Sequence, residues 1–259
     1  MPLVETEDRG AVRHIVMSRA EKRNALNEEL IFALGEAIED AAKDDSVRVL
    51  VLKGDGPMFS SGMDLSNLRA LSEAPETIDD LRTPLLRWWN MLEVMQKATI
   101  AQIHGGAIGG ALELALACDF RVIAEDAVVG LPETRIGLIP DVGGCTRLPA
   151  IVGLGNAKEL IMLGKLIDGR EAFRIGLANR IAPAGELDAA TEALSNELLA
   201  CAPQAVGLAK RVLDQGAKPD AGGSLRREGE AQAKLAASAD FAEGARAFQE
   251  KRQPEFATQ

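Results

Sequence analysis

Metal ligands are scarce in this chain. It has two histidines, His14 and His104, far apart, and neither a C-x-x-C nor an H-E-x-x-H; a zinc or other metal centre is therefore not expected. The three cysteines, Cys118, Cys145 and Cys201, are odd in number and widely spaced. They exclude a disulfide framework and read as reduced packing residues of a cytosolic protein. No apolar run reaches the ~20 residues that span a membrane. The start, MPLVETEDRG, lacks the basic and apolar regions of a signal peptide, which predicts a cytoplasmic protein. Positive charge is in deficit, 29 Lys and Arg against 39 Asp and Glu for a net charge of -10, so neither nucleic acid nor an anionic membrane is an expected partner. An anionic ligand must find local cations, and two basic pairs stand out, Lys22-Arg23 and Lys251-Arg252.

What the chain does have is one unusual stretch, Ile100 to Leu148. A short apolar run, Ile100 to Ile103, leads into a Gly-rich turn, Gly105 to Gly110, and then into Ala111 to Cys118, apolar on every helical face. A helix of that kind belongs inside a protein. Glu113 nevertheless sits in its first turn, and no Lys or Arg lies between Lys97 and Arg121 to neutralise it. A buried acid with no local partner must pair with distant groups or shift its pKa, and is a candidate for chemistry. The Gly109-Gly110 pair lets backbone approach a ligand, and the first N–H groups of the helix suit a developing oxyanion. Glu133 and Asp141 follow in GLPETRIGLIPDVGG, a Gly/Pro-rich segment of the loop type that carries function. Oxyanion donors and several acids together predict acid/base work on a carbonyl compound.

Around this centre the pattern predicts an α/β chain. Val12 to Met17 and Val47 to Lys53 read as strands flanking a helix capped by Asn27, with Leu30, Leu34, Ile38 and Ala41 on one stripe. Asp64 is placed to cap a further helix. Ser66 to Ala98 is mainly helical, with an irregular, acidic middle from Leu71 to Pro84 and an apolar face of Leu85, Trp88, Trp89, Leu92 and Met95, where the tryptophans serve packing. Short helices are expected over Asn156 to Leu163 and Gly169 to Gly176, a strand over Asn179 to Ala182, and only helices from Glu186 on. These divide the chain into an α/β body, residues 1–195, and a helical C-terminal region, residues 196–259.

Five motifs taken in order, AEKRNALN (Ala20 to Asn27), FSSGMDL (Phe59 to Leu65), GGAIGGALELALACD (Gly105 to Asp119), LPETRIGLIPDVGGCTRL (Leu131 to Leu148) and FQEKRQP (Phe248 to Pro254), resemble the crotonase family of enoyl-CoA hydratases and isomerases. The resemblance runs from about Val12 to Phe256. It implies a spiral of β-β-α turns with a helical C-terminal trimerisation region, assembled as a homotrimer or a homohexamer, acting on an acyl-CoA thioester with no cofactor beyond the CoA of the substrate. It also implies roles. Met63 and Gly110 would donate backbone N–H groups to the thioester oxygen; the family usually has Ala where Met63 stands, which narrows the pocket but keeps the donor. Lys22, Arg23, Ala25, Asp64 and Leu65 fall in the CoA-binding segment. Phe248 and Lys251 match positions that reach a CoA on a neighbouring subunit. Glu113 and Glu133 match the two glutamates of the hydratases, one deprotonating water that adds at C3 and the other protonating C2. Asp141 matches an additional acid of dienoyl-CoA isomerases, although those enzymes tend to carry Asp at the position of Glu113; as a residue it also suits the turn IPDVGG. Enoyl-CoA hydration is the expected activity, with enoyl- or dienoyl-CoA isomerisation, or acyl-CoA binding without catalysis, as alternatives. A dinucleotide-binding turn is disfavoured because Ala107 stands where G-x-G-x-x-G needs its second Gly, and a Ser61–His104 hydrolase because G-x-S-x-G is missing.

Overall fold

A computed structural model of the chain describes residues 2–217 and 220–255; Phe256, at the far end of the expected family span, lies outside them. The hairpin β1 (Val4–Arg9) and β2 (Val12–Met17) opens a six-stranded sheet. It continues through β3 (Val49–Gly54), β4 (Ala98–Ile103), β6 (Phe120–Ala124) and β9 (Arg180–Ala182), all parallel from β2 onward. β4 is buried along its whole length, as a parallel strand covered on both faces must be.

A second, three-stranded sheet holds β5 (Gly106–Ile108), β7 (Val128–Gly130) and β8 (Leu166–Asp168). The parallel bridges Leu26↔Met63 and Ser60↔Ala107 join earlier passes of the chain in the same sense as β5 pairs β7. Each pass thus gives one strand to the large sheet, touches the next pass in a second layer, and closes with a helix. β4, β5 and α4 (Gly110–Ala117) make one turn of this spiral; β6, β7 and α5 (Gly144–Met162, broken at Gly153) make the next. Periodicity did not show β5, because three residues within a run of glycines carry no alternation; the neighbouring strand fixes it.

The expected first helix is α1 (Glu28–Lys43), with the Asn27 side chain accepting from the Leu30 N–H and Leu30, Leu34, Ile38 and Ala41 buried. It packs against α3 (Ile78–Val94) so closely that a Cβ on Gly35 would fall 2.0 Å from the Trp88 ring. Trp88 and Trp89 lie in the main core, as their packing role requires. The middle of the Ser66 to Ala98 segment is more regular than its composition suggests. α2 (Leu65–Glu73) ends, one 3-10 turn intervenes at Pro75–Thr77, and α3 then runs through Pro84. Burial of Leu71 and Ile78 in a satellite cluster with Leu138, Ala236, Phe241 and Ala245 holds this segment against its weak propensity. The helix expected from Asn156 is longer at its start, since α5 begins at Gly144; its glycines and Pro149 hide the period.

Past α6 (Gly169–Arg174) and β9 the chain is helical: α7 (Leu187–Leu199), α8 (Pro203–Ala217), α9 (Ala221–Ala236) and α10 (Ala239–Gln249). Residue 195 falls inside α7, which packs its Leu187 and Leu194 into the main core. α8 is latched by Lys210, buried, whose Nζ sits 2.9 Å from Asp119 Oδ2 and donates to the Leu92 and Lys97 carbonyls. α10 returns to α2 and the Glu133–Ile136 turn, closing the helical part over the α4–α5 end of the body.

Candidate active site

α4 is apolar and buried throughout, and its first turn delivers Glu113 into the interior at 2% exposure. Its partner is backbone, not a cation. Glu113 Oε1 accepts the Val142 N–H at 3.0 Å and the Gly144 N–H at 2.8 Å. Burial raises the Glu113 pKa well above the usual carboxylate range, and the nearby charges of Glu133, Asp141 and Glu228 push the same way.

Glu133 opens the 3-10 turn Glu133–Ile136 that follows β7. Its Oε2 is buried and has no hydrogen-bond partner among the described residues. Its pKa is pushed up to about 8 by burial, with the charge of Asp141 adding to the rise. Asp141 is part of the same group. Burial pushes it up to about 7 against the pull of Arg82, while the charge of Glu228 adds to the rise; Arg82 Nε lies 3.5 Å from Asp141 Oδ2 without making a hydrogen bond to it. The structure thus brings together the three acids singled out from the sequence, in a site where each favours its proton more than a free carboxyl does.

Two turns from successive spiral passes face each other beside these acids. Gly62 has φ +89, and a Cβ there would meet the Ile108 carbonyl oxygen at 2.3 Å and the Gly110 nitrogen at 3.8 Å. Gly109 has φ 57 and ψ -127, a region open to glycine, and a Cβ there would lie 2.8 Å from Glu133 Oε1. Only with glycine at both places can Met63 and Gly110 come next to each other and next to Glu133. Among the described residues neither the Met63 nor the Gly110 N–H has a hydrogen-bond partner. The Met63 side chain lies over Gly110, its Sδ 3.7 Å from where a Cβ on Gly110 would be.

The first segment expected to hold CoA is the 3-10 turn Ala20–Lys22 and the loop after it, with Lys22 and Arg23 exposed and Arg23 and Asn24 both left-handed at φ 54 and 52. Buried Asn24 fixes it, donating to the Asp55, Met58 and Phe59 carbonyls. Asp64 caps α2 through the Ser66 N–H and pairs with Arg19, whose guanidinium also donates to the Ala25 carbonyl; Arg19 had no distinguishing signal in the sequence. Leu65 is 51% exposed and lines a small cavity together with Phe248 of the same chain. Lys251 follows α10, exposed and left-handed.

Sequence reasoning missed Glu228 and Arg82. The signal for Glu228 was available: Leu225, Glu228, Gln232 and Leu235 share one face of α9, so a Glu and a Gln stand where apolar residues are expected. His104 Nε2 lies 2.9 Å from the Gly56 carbonyl oxygen and makes no hydrogen bond to Ser61, which leaves the hydrolase alternative without its dyad. No cluster of candidate metal ligands occurs among the described residues.

A spiral of β-β-α turns with buried Glu113 and half-buried Glu133 beside two backbone donors unpartnered among the described residues defines a class, and comparison with known proteins gives that class its name. The family described as Enoyl-CoA hydratase/isomerase matches residues 7–259. The chain belongs to that family, and its fold is the crotonase fold. It is 41% identical over 250 residues to the human enoyl-CoA hydratase domain-containing protein 2, mitochondrial, covering 95% of this chain and 85% of that one. It is 35% identical over 257 residues to crotonyl-CoA hydratase of Syntrophomonas wolfei, covering 98% and 96%. Among solved structures, an enoyl-CoA hydratase from Mycobacterium avium subsp. paratuberculosis superposes with a TM-score of 0.88 at 28% identity, covering 99% of each chain.

Proposed function

We propose that the chain hydrates a 2-enoyl-CoA thioester. The observation that carries this is the asymmetric support of two glutamates: Glu113, buried, accepts two N–H bonds from a neighbouring loop at Oε1, whereas Glu133, half-buried, is met by its own backbone N–H and its Oε2 accepts none among the described residues. Burial raises both, and Glu113 also faces three other acids. Hydrogen bonds to a carboxylate favour its charged form, and on the two loop N–H bonds to Glu113 we assign the anion to Glu113 and the proton to Glu133. Glu113 then takes a proton from water as its oxygen bonds to C3. The electron pair of the C2–C3 double bond moves into the thioester enolate, whose oxygen is held by the Met63 and Gly110 N–H groups. Glu133 gives its proton to C2. One acid has gained a proton and the other has lost one, and exchange with solvent restores both.

The substrate's CoA would lie along Lys22, Arg23, Ala25, Asp64 and Leu65, with the exposed cations taking its phosphates; Phe248 and Lys251 would complete the binding surface. Asp64, engaged by Arg19 and the α2 N-terminus, would act there through the shape of the loop. No cofactor other than this CoA enters the scheme. A homotrimer or homohexamer fits the apolar residues that the single chain leaves exposed, among them Met162, Leu163, Val212 and Leu213. No described helix is long and apolar enough to cross a membrane; a cytoplasmic location rests on the three free cysteines, while the human relative's name places that protein in mitochondria.

One observation favours a second activity, isomerisation of a dienoyl-CoA. Asp141, half-buried, feels the charges of the same group of acids and has its pKa pushed up to about 7, which suits a group that both takes and returns protons. Incubation with a 2-enoyl-CoA, a 3-enoyl-CoA and a 3,5-dienoyl-CoA, followed by ultraviolet absorbance, separates the two. Loss of the 2-enoyl signal with formation of 3-hydroxyacyl-CoA supports hydration; new conjugation from either other substrate, with the 2-enoyl-CoA untouched, rejects it for isomerisation.

A further inference from the structure

Glu113 takes its two hydrogen bonds from a turn rather than from regular structure. That turn, Val142–Gly143–Gly144, sends its N–H groups two ways. Val142 and Gly144 donate to Glu113 Oε1 at 3.0 and 2.8 Å, while Gly143 between them donates to Glu228 Oε2 at 2.9 Å. Glu228 Oε1 accepts from Thr146 Oγ1 at 2.6 Å. The peptide joining Val142 to Gly143 is gripped from both sides, since Arg147 Nη1 donates to its carbonyl at 2.8 Å and Glu228 accepts from its N–H. α9 ties the same loop twice more. Gln232 Oε1 accepts the Ile139 N–H at 3.1 Å, and Arg82 donates both to the Asp141 carbonyl and to the Leu225 carbonyl of α9.

We infer that Glu228, on α9, is a positioning residue for the reaction: it fixes the Val142–Gly144 turn and through it aims Glu113 at the attacking water. The inference rests on the hydratase reading above. A Gly-Gly turn has more backbone freedom than any other, so its peptide planes hold still only where both ends are bonded. Glu228 is 4% exposed, which leaves water little access to replace these bonds. The titratable and charged groups facing it are Arg147 and Cys145 from α5, Glu113 from α4, Asp141 from the loop and Arg82 from α3, whose guanidinium lies against α9 at Gly229. Glu228 therefore also places a negative charge facing Glu113, in addition to holding its donors.

The test compares wild type, Glu228→Gln, Glu113→Gln and the double variant on a 2-enoyl-CoA, with circular dichroism and thermal melting alongside. Glu228→Gln keeps the shape, loses one acceptor and removes the charge. It is expected to lower kcat about tenfold with KM within about twofold, and to add no further loss in the Glu113→Gln background. The acid limb of its kcat profile moves to lower pH, because Glu113 loses a like charge and ionises more readily. A lower Tm with unchanged kcat and pH profile, or an equal further loss in both backgrounds, overturns the inference. If Glu228→Gln does not fold, Thr146→Val and Glu228→Asp are read instead, and unaltered kcat and pH profile in both overturn it as well. A wild type silent on enoyl-CoA rejects the hydratase reading separately. The link from Glu228 to Glu113 is then read from melting of the four proteins across about pH 5 to 9, where strictly additive shifts overturn it.

Discussion

At Glu113 two backbone N–H groups from a neighbouring loop stand in place of a cation, whereas at Glu133 the carboxyl is met by its own backbone N–H and Oε2 has no partner among the described residues. Removing either carboxylate function should therefore stop the chemistry without emptying the site. Glu113→Gln and Glu133→Gln are each expected to lower kcat for hydration by about a hundredfold or more, as loss of general acid/base catalysis does, while CoA still binds by calorimetry. Near wild-type hydration in Glu113→Gln would reject its role as the base. The pH dependence follows from burial. The Glu133 pKa, pushed up to about 8, lies above the ~4.3 of an unfolded chain. Between those two values the folded protein holds a proton that the unfolded chain has released, so this group's contribution to stability is full below the lower value and is lost as pH rises to about 8. Asp141 adds a similar fall up to about 7. Melting temperature should drop from weakly acidic to weakly alkaline pH, with a shallower drop in Glu133→Gln. In the proposed mechanism the same proton is the one Glu133 would deliver, so kcat/KM should fall as pH passes about 8.

At the scale of elements, the site depends on how closely two turns of the spiral approach. Gly62 is the point of contact, with the Ile108 carbonyl oxygen 2.3 Å from any Cβ placed there. Gly62→Ala must also hold φ +89, which L side chains disfavour. It should separate the Met63 and Gly110 donors, lowering kcat about a hundredfold, the effect of losing one oxyanion donor, and lowering Tm as well. A variant with reduced Tm but unchanged kcat would show that the donors keep their places despite the strain. Much of this scale was legible in the sequence. The Asn27 and Asp64 caps, the α1 stripe and the all-apolar α4 are local patterns of one or two turns. β5 and the start of α5 were not legible, since glycines carry neither period and the neighbouring pass of the chain supplies what holds them.

At the scale of the whole molecule, α8 exposes Val212 at 68% and Leu213 at 70% beside Leu208 at 55%. An apolar helical face of that kind is the sort that assembly covers. If the chain forms trimers or pairs of trimers through it, Val212→Glu with Leu213→Glu should raise the dissociation constant of the assembly about tenfold or more. Sedimentation would then show a smaller species at concentrations where wild type is intact; an unchanged profile would place the interface elsewhere, with the exposed Met162 and Leu163 of the α5 end as the next surface to test. The C-terminal helices also matter inside one chain, because α9 supplies Glu228 and α10 brings Phe248 beside Leu65.

The sequence by itself determined what is encoded locally: an α/β chain, a buried helix with a glutamate in its first turn, glycine turns able to bring backbone N–H groups to a ligand, and motifs specific enough to carry the family. It determined which acids to watch, Glu113, Glu133 and Asp141. Only the tertiary structure decided how those acids are supported. The donors to Glu113 are main-chain groups of Val142 and Gly144, and a backbone N–H has no residue type to read. Glu228 reaches the same turn from α9 and Arg82 ties that loop from α3, across distances that sequence spacing does not report. Hydrogen-bond partnership in a buried site is settled by which loops close on each other, and that closure is a property of the packed chain rather than of any segment within it.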